Sequence, residues 1–406
     1  MSKSVVIVGG GVGGVFTANK LVSKLGFEIR RGEVSVTLIE PQEKQVYQPG
    51  FLYVPFSELP PEVMYRSVNK LISPWVKLER EPAARVDLPN KKVVLQSGKE
   101  LKYDYLVVAT GSVARTDAFP KFGEAWHTLW TYEGARRLRE TLLRFNGGTV
   151  VVSVTSTPYK CPVAPYEFLG LLNDYLMAAG LRAKTKVIFT TVAPHLHAQP
   201  QVNKFLEEQM KLWGFEYKTK FQVNAIEPGK ISGPEEIKAD LIVAVPPHSG
   251  AEVVVKSGLG DQAGWIPVDR HTLQIQAQGA TGAEMALGDA TNLPVPKAGA
   301  VAHFQSEVVA SRIAEEIQLG HADTKYDGRV ICFILTSSEE ATQVSWNYEN
   351  PAKYPPPPSR FFLRLKDMTN YSIWSAMRRG HTYAKSSVFI QRRRCETYVT
   401  CSHTGG

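Results

Sequence analysis

Only four of the 406 residues are cysteines, at positions 161, 332, 395 and 401. So sparse a set excludes a small disulfide-stapled scaffold. No run of about 18 consecutive apolar residues occurs, which argues against a membrane-spanning helix. The chain opens with no charged-then-apolar leader, so the expectation is a protein without a signal peptide. In a reducing compartment, paired cysteines are more often catalytic than structural. There is also no fixed short repeat. What is present is an ordinary globular mix, 43% hydrophobic and 21% charged, long enough for two or three domains with their own cores.

Net charge is lacking from most of the chain. Of the net +8, residues 351–406 supply all, with ten Lys or Arg against two acids. A neutral body with a basic end suits an anionic surface. No nucleic-acid recognition motif accompanies it, so an anionic lipid surface is the expected partner and nucleic acid is not.

Hydrophobic periodicity divides the chain into strands and helices. Val5–Val8 is a continuous apolar run, Gly9–Gly14 reads as a turn and Val15–Leu25 has helical spacing. Strands are predicted at Val34–Ile39, Lys91–Leu95 and Tyr105–Ala109, with 26–33 a long connection. A second strand–turn–helix unit is predicted from Thr149–Val154 and Tyr166–Ala178, followed by strands Lys186–Thr191 and Leu241–Val245. Ala286–Asp289 and a helix Val301–Gln318 return to the first pattern. Strands Val330–Leu335 and Gln343–Trp346 precede a stiff Pro355–Pro358 break.

Alternating strands and helices imply an α/β fold with parallel, doubly wound sheets. The expected organisation is a pair of tandem Rossmann-like dinucleotide-binding domains with a C-terminal membrane-associating region. Residues 1–112 and 246–325 form one domain around an inserted 113–245 domain, and 326–406 form the C-terminal region. In 359–379, Phe361, Phe362, Leu365, Met368, Ile373, Ala376 and Met377 fall close to one helical face, among Arg364, Lys366, Arg378 and Arg379. Such a helix suits the headgroup region of a bilayer.

Gly9-Gly10-Gly11-Val12-Gly13-Gly14 satisfies G-x-G-x-x-G, with Gly9, Gly11 and Gly14 in the fingerprint positions. Bare backbone there lets N–H groups approach a pyrophosphate at a helix N-terminus. Glu40 ends the second strand, where a carboxylate bonds ribose hydroxyls. The corresponding loop of the second unit, Thr155-Ser156-Thr157-Pro158-Tyr159-Lys160-Cys161-Pro162, has no glycine. Its side chains crowd a pyrophosphate and its prolines lack N–H donors. A nicotinamide site is therefore not expected. Cys161 lies near a helix N-terminus, which favours thiolate. Cys332 sits in an apolar strand and, taken alone, reads as a core cysteine.

Val107-Val108-Ala109-Thr110-Gly111 and Ala286-Leu287-Gly288-Asp289-Ala290 resemble the further motifs of two-dinucleotide-domain flavoproteins. Cys161-Pro162-Val163-Ala164-Pro165-Tyr166-Glu167 is similar to the cysteine segments of sulfide:quinone oxidoreductases and of the flavin subunit of flavocytochrome c sulfide dehydrogenase. Tyr47-Gln48-Pro49-Gly50 and Pro296-Lys297-Ala298-Gly299 extend the resemblance over most of residues 1–335.

The resemblance implies FAD as cofactor, with Thr110, Gly111, Gly288 and Asp289 in contact with it and Ala83 counted among the cofactor-binding residues. It implies that Cys161 and Cys332 form a disulfide or polysulfide bridge at the flavin, with Cys332 nearer the ring and Phe333 in the quinone pocket. Sulfide attacks the bridge, and electrons pass to membrane quinone. Glu167 is then a proton carrier, Lys297 a stabiliser of negative charge as against a solvated surface lysine, and His195 and His197 lie near the sulfide side. Trp130 occupies the position at which many members carry a third cysteine, so non-covalent FAD and a two-cysteine subtype are expected. No metal site is expected. Cys395 and Cys401 receive no catalytic role, metal spacing with His403 notwithstanding. Peripheral attachment to the cell membrane follows, with a homo-oligomer an open alternative. The competing readings are a type II NADH:quinone oxidoreductase, a sulfide dehydrogenase passing electrons to cytochrome c, and a non-enzymatic flavin-binding scaffold.

Overall fold

A computed structural model describes residues 2–57 and 61–380. Lys385, Arg392, Arg393, Arg394, Cys395, Cys401 and His403 lie outside the described residues. The first sheet has five parallel strands in the order Glu284–Ala286, Tyr105–Val108, Lys3–Val8, Val34–Ile39, Val76–Glu79. Its central strand is buried from Val5 to Val8, because helices cover both faces of a parallel sheet and a continuous apolar run is what both faces demand. Helix Val12–Lys24 follows that strand and packs against helix Gly299–Leu319.

The second sheet is also wholly parallel, in the order Glu216–Lys218, Thr185–Thr191, Gly148–Val154, Leu241–Val245. Helix Ala164–Ala178 buries Phe168, Leu169 and Leu172 in its core. So does helix Pro200–Trp213, which the periodicity reading passed over. Its signal was present: Val202, Phe205, Leu206, Met210 and Trp213 at helical spacing, proline in the first turn, and Gly214 at φ +65° closing it. An antiparallel ribbon of Ser112–Ala114 with His248–Gly250 joins the two sheets where the chain leaves the first and comes back.

Two local expectations change. The helix after the first strand begins at Val12, not Val15, so Gly13 and Gly14 belong to its first turn. The polar stretch after it contains a short helix, Gly26–Arg30.

Beyond the second sheet, Val330–Leu335 and Ala341–Trp346 pair antiparallel. Helix Arg360–Arg379 follows, its first turn capped by the Ser359 side chain, which accepts from the Phe362 amide. The helix folds back onto the first unit: Asn19 Nδ2 donates to the carbonyls of Leu71 at 2.7 Å and Met377 at 2.6 Å. Among the described residues no helix is long and apolar enough to cross a membrane.

Candidate functional site

The carboxyl ends of both sheets, the 330–346 hairpin and the last helix enclose one large cleft of about 1820 Å³. Such a crevice beyond the strand ends is where open α/β sheets bind ligands. At its inner end lies the glycine loop. Gly9 sits at φ +102°, and a Cβ there would come within 2.5 Å of the Ala109 carbonyl oxygen. A Cβ on Gly14 would come within 1.8 Å of the Gly9 carbonyl oxygen, so the helix is seated directly on the turn. Gly11 has nothing within 4 Å of its notional Cβ. It N-caps helix Val12–Lys24 without a side-chain cap and with no acid in the first turn. An uncapped helix end over open space fits an anionic group.

The rest of this lobe fits a dinucleotide. Glu40 accepts from the Gly10 amide at 2.7 Å and the Gln42 amide at 2.8 Å. The buried Thr110 hydroxyl has no partner among the described residues, an unsatisfied group that a ligand would satisfy. Asp289 accepts from the Ser112 hydroxyl at 3.2 Å. Gly9, Gly11, Glu40, Thr110, Gly111, Gly288 and Asp289 all line the cleft. Gly14 and Ala83 do not: Gly14 acts through packing, and Ala83 opens the strand Ala83–Asp87 against Leu95.

The second unit presents side chains where the first presents backbone. Its loop ends in Cys161, held at φ +53°, whose amide donates to the Lys297 carbonyl at 2.8 Å and so ties the loop to the first unit. Cys332 lies opposite Val344 in the hairpin. Both cysteines are free thiols, and both line the cleft. The thiolate expected at Cys161 is a correction. Helix Ala164–Ala178 starts three residues on, and burial pushes the Cys161 thiol up to about 12, with the Glu167 charge adding to it and Lys366 opposing. Burial, then Cys161 and Glu167, also raise the Cys332 thiol. Desolvation outweighs the helix dipole here.

Glu167 is buried and does two things. Its Oε1 accepts the Leu335 amide at 3.0 Å, joining the helix after Cys161 to the strand of Cys332. The same oxygen pairs with Lys366 Nζ at 2.6 Å. Burial works against the Lys366 ammonium, yet Glu167, Tyr53 and Cys161 together hold it above the usual lysine range. Lys366 escaped the sequence reading, which grouped it with the surface-facing basic residues. Its phase was the available signal, since Leu363, Lys366, Asn370 and Met377 share one helical face, and Leu363 and Met377 are buried. Tyr47 was quoted only as part of a motif. It donates to the Asn370 side chain and meets Trp374 edge-on at 6.0 Å between centroids.

Lys297 is a buried lysine, 7% exposed, which removes the surface reading. Its Nζ donates to the carbonyls of Asp289 at 2.7 Å and Thr291 at 2.9 Å and sits 3.7 Å from the Trp265 ring centroid. Burial pulls its ammonium down to about 8. Phe333 lines the cleft beside Cys332. His195 and His197 do not reach it. His195 is exposed. His197 is buried against Trp346, and its Nδ1 accepts the Gln199 amide at 3.0 Å just ahead of helix Pro200–Trp213. Burial first, then His195, lowers His197 to about 4, leaving it a neutral structural residue at pH 7.

The apolar face predicted for the last helix is divided. Ala376 and Met377 are buried on the body, whereas Phe361 and Met368 are 63% and 65% exposed. The residues from Arg364 to Trp374, exposed Met368 among them, line the cleft together with Ala376 and Met377. Among the described residues, no group of three or more His, Cys, Asp or Glu is placed to hold a metal.

Comparison with known proteins follows the same lines. Residues 3–279 match the family described as pyridine nucleotide-disulphide oxidoreductase. The mitochondrial sulfide:quinone oxidoreductase of Dictyostelium discoideum is 28% identical, with 95% of this chain and 88% of that protein covered. Its namesake from Mus musculus is 25% identical over 93% and 86%. The solved sulfide:quinone oxidoreductase of Aquifex aeolicus shares the fold with a TM-score of 0.82 and 23% identity, covering 94% of this chain and 92% of that one. With the glycine loop, the paired sheets and the family match in agreement, the chain belongs to the pyridine nucleotide-disulphide oxidoreductase family.

Proposed function

We propose that this protein is an FAD-dependent sulfide:quinone oxidoreductase that works at a membrane surface. One observation carries the reading: two cysteines distant in the chain, Cys161 and Cys332, line the same cleft as the dinucleotide loop, and Cys161 occupies the loop that would otherwise cradle a nicotinamide nucleotide. The sulfide:quinone oxidoreductases among the relatives support it.

The amides at the open end of helix Val12–Lys24, behind its N-cap Gly11, would hold the FAD pyrophosphate, since the Gly9 and Gly10 amides already donate to Ile39 and Glu40; Glu40 would hold the adenosine ribose and Asp289 the ribityl chain. When bound, FAD supplies a two-electron acceptor that communicates with quinone. Trp130 in place of a third cysteine leaves the cofactor non-covalent. Hydrosulfide attacks one sulfur of a Cys161–Cys332 bridge; the new S–S bond makes a persulfide on one cysteine, and the broken one releases the other as thiolate. Because burial holds both thiols well above the ordinary cysteine range, the resting dithiol is a poor nucleophile and the bridge is the reactive form. The buried Lys366 ammonium beside Cys161 stabilises the departing thiolate. Glu167, bonded to Lys366 and to the Cys332 strand, would carry a proton between the sulfur pair and the Lys366 ammonium. Phe333 lies on the quinone side, and exposed Phe361 and Met368, flanked by Arg360 and Arg364, face lipid.

Anaerobic addition of sulfide and, separately, of NADH to the oxidised holoprotein tests the reading. Bleaching of the flavin by sulfide and not by NADH is expected; bleaching by NADH alone would instead favour an NADH:quinone oxidoreductase. Flotation with anionic vesicles should weaken in the double variant Phe361→Asp, Met368→Asp, and unchanged flotation would remove this helix from the lipid contact.

A further inference from the structure

We propose that Trp130 is a positioning residue that holds Cys161 in the conformation from which its sulfur meets Cys332. This inference rests on the sulfur-bridge reading above and adds a residue to it. Cys161 is held at φ +53°, a region that a side chain with a Cβ adopts only when its surroundings impose it. The peptide unit before it is gripped at both ends. Its carbonyl, that of Lys160, accepts the Trp130 indole N–H at 2.8 Å. Its amide, that of Cys161, donates to the Lys297 carbonyl at 2.8 Å. The peptide unit after it is gripped once, through the Ala164 amide, which donates to the Cys161 carbonyl at 2.9 Å. In this set Trp130 alone contributes a side chain, so its bond is the one a substitution removes.

The indole is itself fixed. Trp130 is buried, and its amide donates to the Thr128 hydroxyl at 3.3 Å. It immediately precedes Thr131, whose hydroxyl accepts the Gly134 amide at 3.0 Å and caps helix Tyr132–Leu142. Its ring meets Tyr159 edge-on at 6.2 Å, and the Tyr159 hydroxyl donates to the Pro162 carbonyl at 3.2 Å. Residues 159 to 162 are thus clamped on one side by this aromatic pair and on the other by the first unit. Freed of the indole, the half-buried Lys160 carbonyl loses its partner, and the peptide is free to turn and let Cys161 relax to negative φ.

The test uses holoprotein in a glutathione redox buffer. There the two thiols give two electrons and two protons to oxidised glutathione, yielding two reduced glutathiones and the Cys161–Cys332 disulfide. Trp130→Phe, which keeps an aromatic ring and loses the N–H, is expected to form the bridge about tenfold more slowly than the parent. FAD content and visible spectrum should be unchanged, which a general loss of structure would not allow. Benzothienylalanine at position 130, with sulfur in place of the N–H and the full ring shape retained, is expected to behave alike and serves if Trp130→Phe does not fold. A crystal structure of either variant should show Cys161 out of the left-handed region. Bridge formation within about twofold of the parent, or Cys161 still near its original φ, would overturn the proposal. A parent protein that forms no such bridge would instead overturn the sulfur-bridge reading on which it rests.

Discussion

The two strand–loop–helix units share a design and end in loops of opposite character. After Lys3–Val8 the chain turns through Gly9–Gly11 into helix Val12–Lys24, and what the turn itself offers the cleft is bare backbone. After Gly148–Val154 it passes through Thr155–Pro162 into helix Ala164–Ala178 and offers a thiol, a lysine and an aromatic clamp. A parallel sheet fixes where the carboxyl ends of its strands lie; the loop decides what chemistry is placed there. One loop is shaped to bind by what it leaves out, the other to react by what it puts in.

That contrast is broken most severely by Cys161→Ser. Stopped-flow bleaching of the flavin by sulfide should fall at least about a thousandfold while FAD content holds, since the first loop is untouched. Next comes Lys366→Met, which leaves the Glu167 carboxylate buried without its cation. The cost in denaturant unfolding should be about 3–5 kcal/mol, and adding Glu167→Gln should return much of it.

Within the first loop, Gly14→Ala and Gly11→Ala should separate packing from binding. The former drives a methyl into the Gly9 carbonyl and should cost about 1–3 kcal/mol of apoprotein stability. The latter meets only open space, so apoprotein stability should hold while FAD affinity drops. Equal effects from the two would show that Gly11 does not face the cofactor.

A smaller effect concerns pH. Cys161 binds its proton more tightly folded than unfolded, so its contribution to the stability of the reduced protein is complete below about 9. It is withdrawn as pH rises from about 9 to about 12. The stability gap between reduced parent protein and Cys161→Ser should narrow over that interval, as followed by thermal melts, and a gap that stays constant would mean the thiol is not desolvated. The smallest effect is expected from His195→Ala, whose turnover should stay within about twofold because surface substitutions away from contacts change little.

The sheets were legible because a buried parallel strand is a continuous apolar run, as in Val5–Val8 and Leu241–Val245. The glycine loop was legible because its function is local. Helix Pro200–Trp213 had a readable pattern that went unread. Lys366 was hidden for another reason: a basic residue on an amphipathic helix resembles its solvated neighbours until the helix is docked and its phase is known. His197 was misplaced because loop residues beyond a strand end can turn toward the cleft or back to the core, and its bond to Gln199 turns it back. The state of the Cys161 thiol was misjudged for want of burial, which a sequence does not express.

What the order of amino acids determined unaided was the two-unit α/β plan, the glycine loop and the absence of glycine from its counterpart, since each depends on residues adjacent in the chain. Only the tertiary structure decided that Cys332 shares a cleft with Cys161, that Glu167 meets Lys366, and that Trp130 grips the peptide before the cysteine. These contacts join segments tens to hundreds of residues apart. Desolvation and hydrogen bonding, which set the chemistry of such groups, exist only once the intervening chain has folded around them.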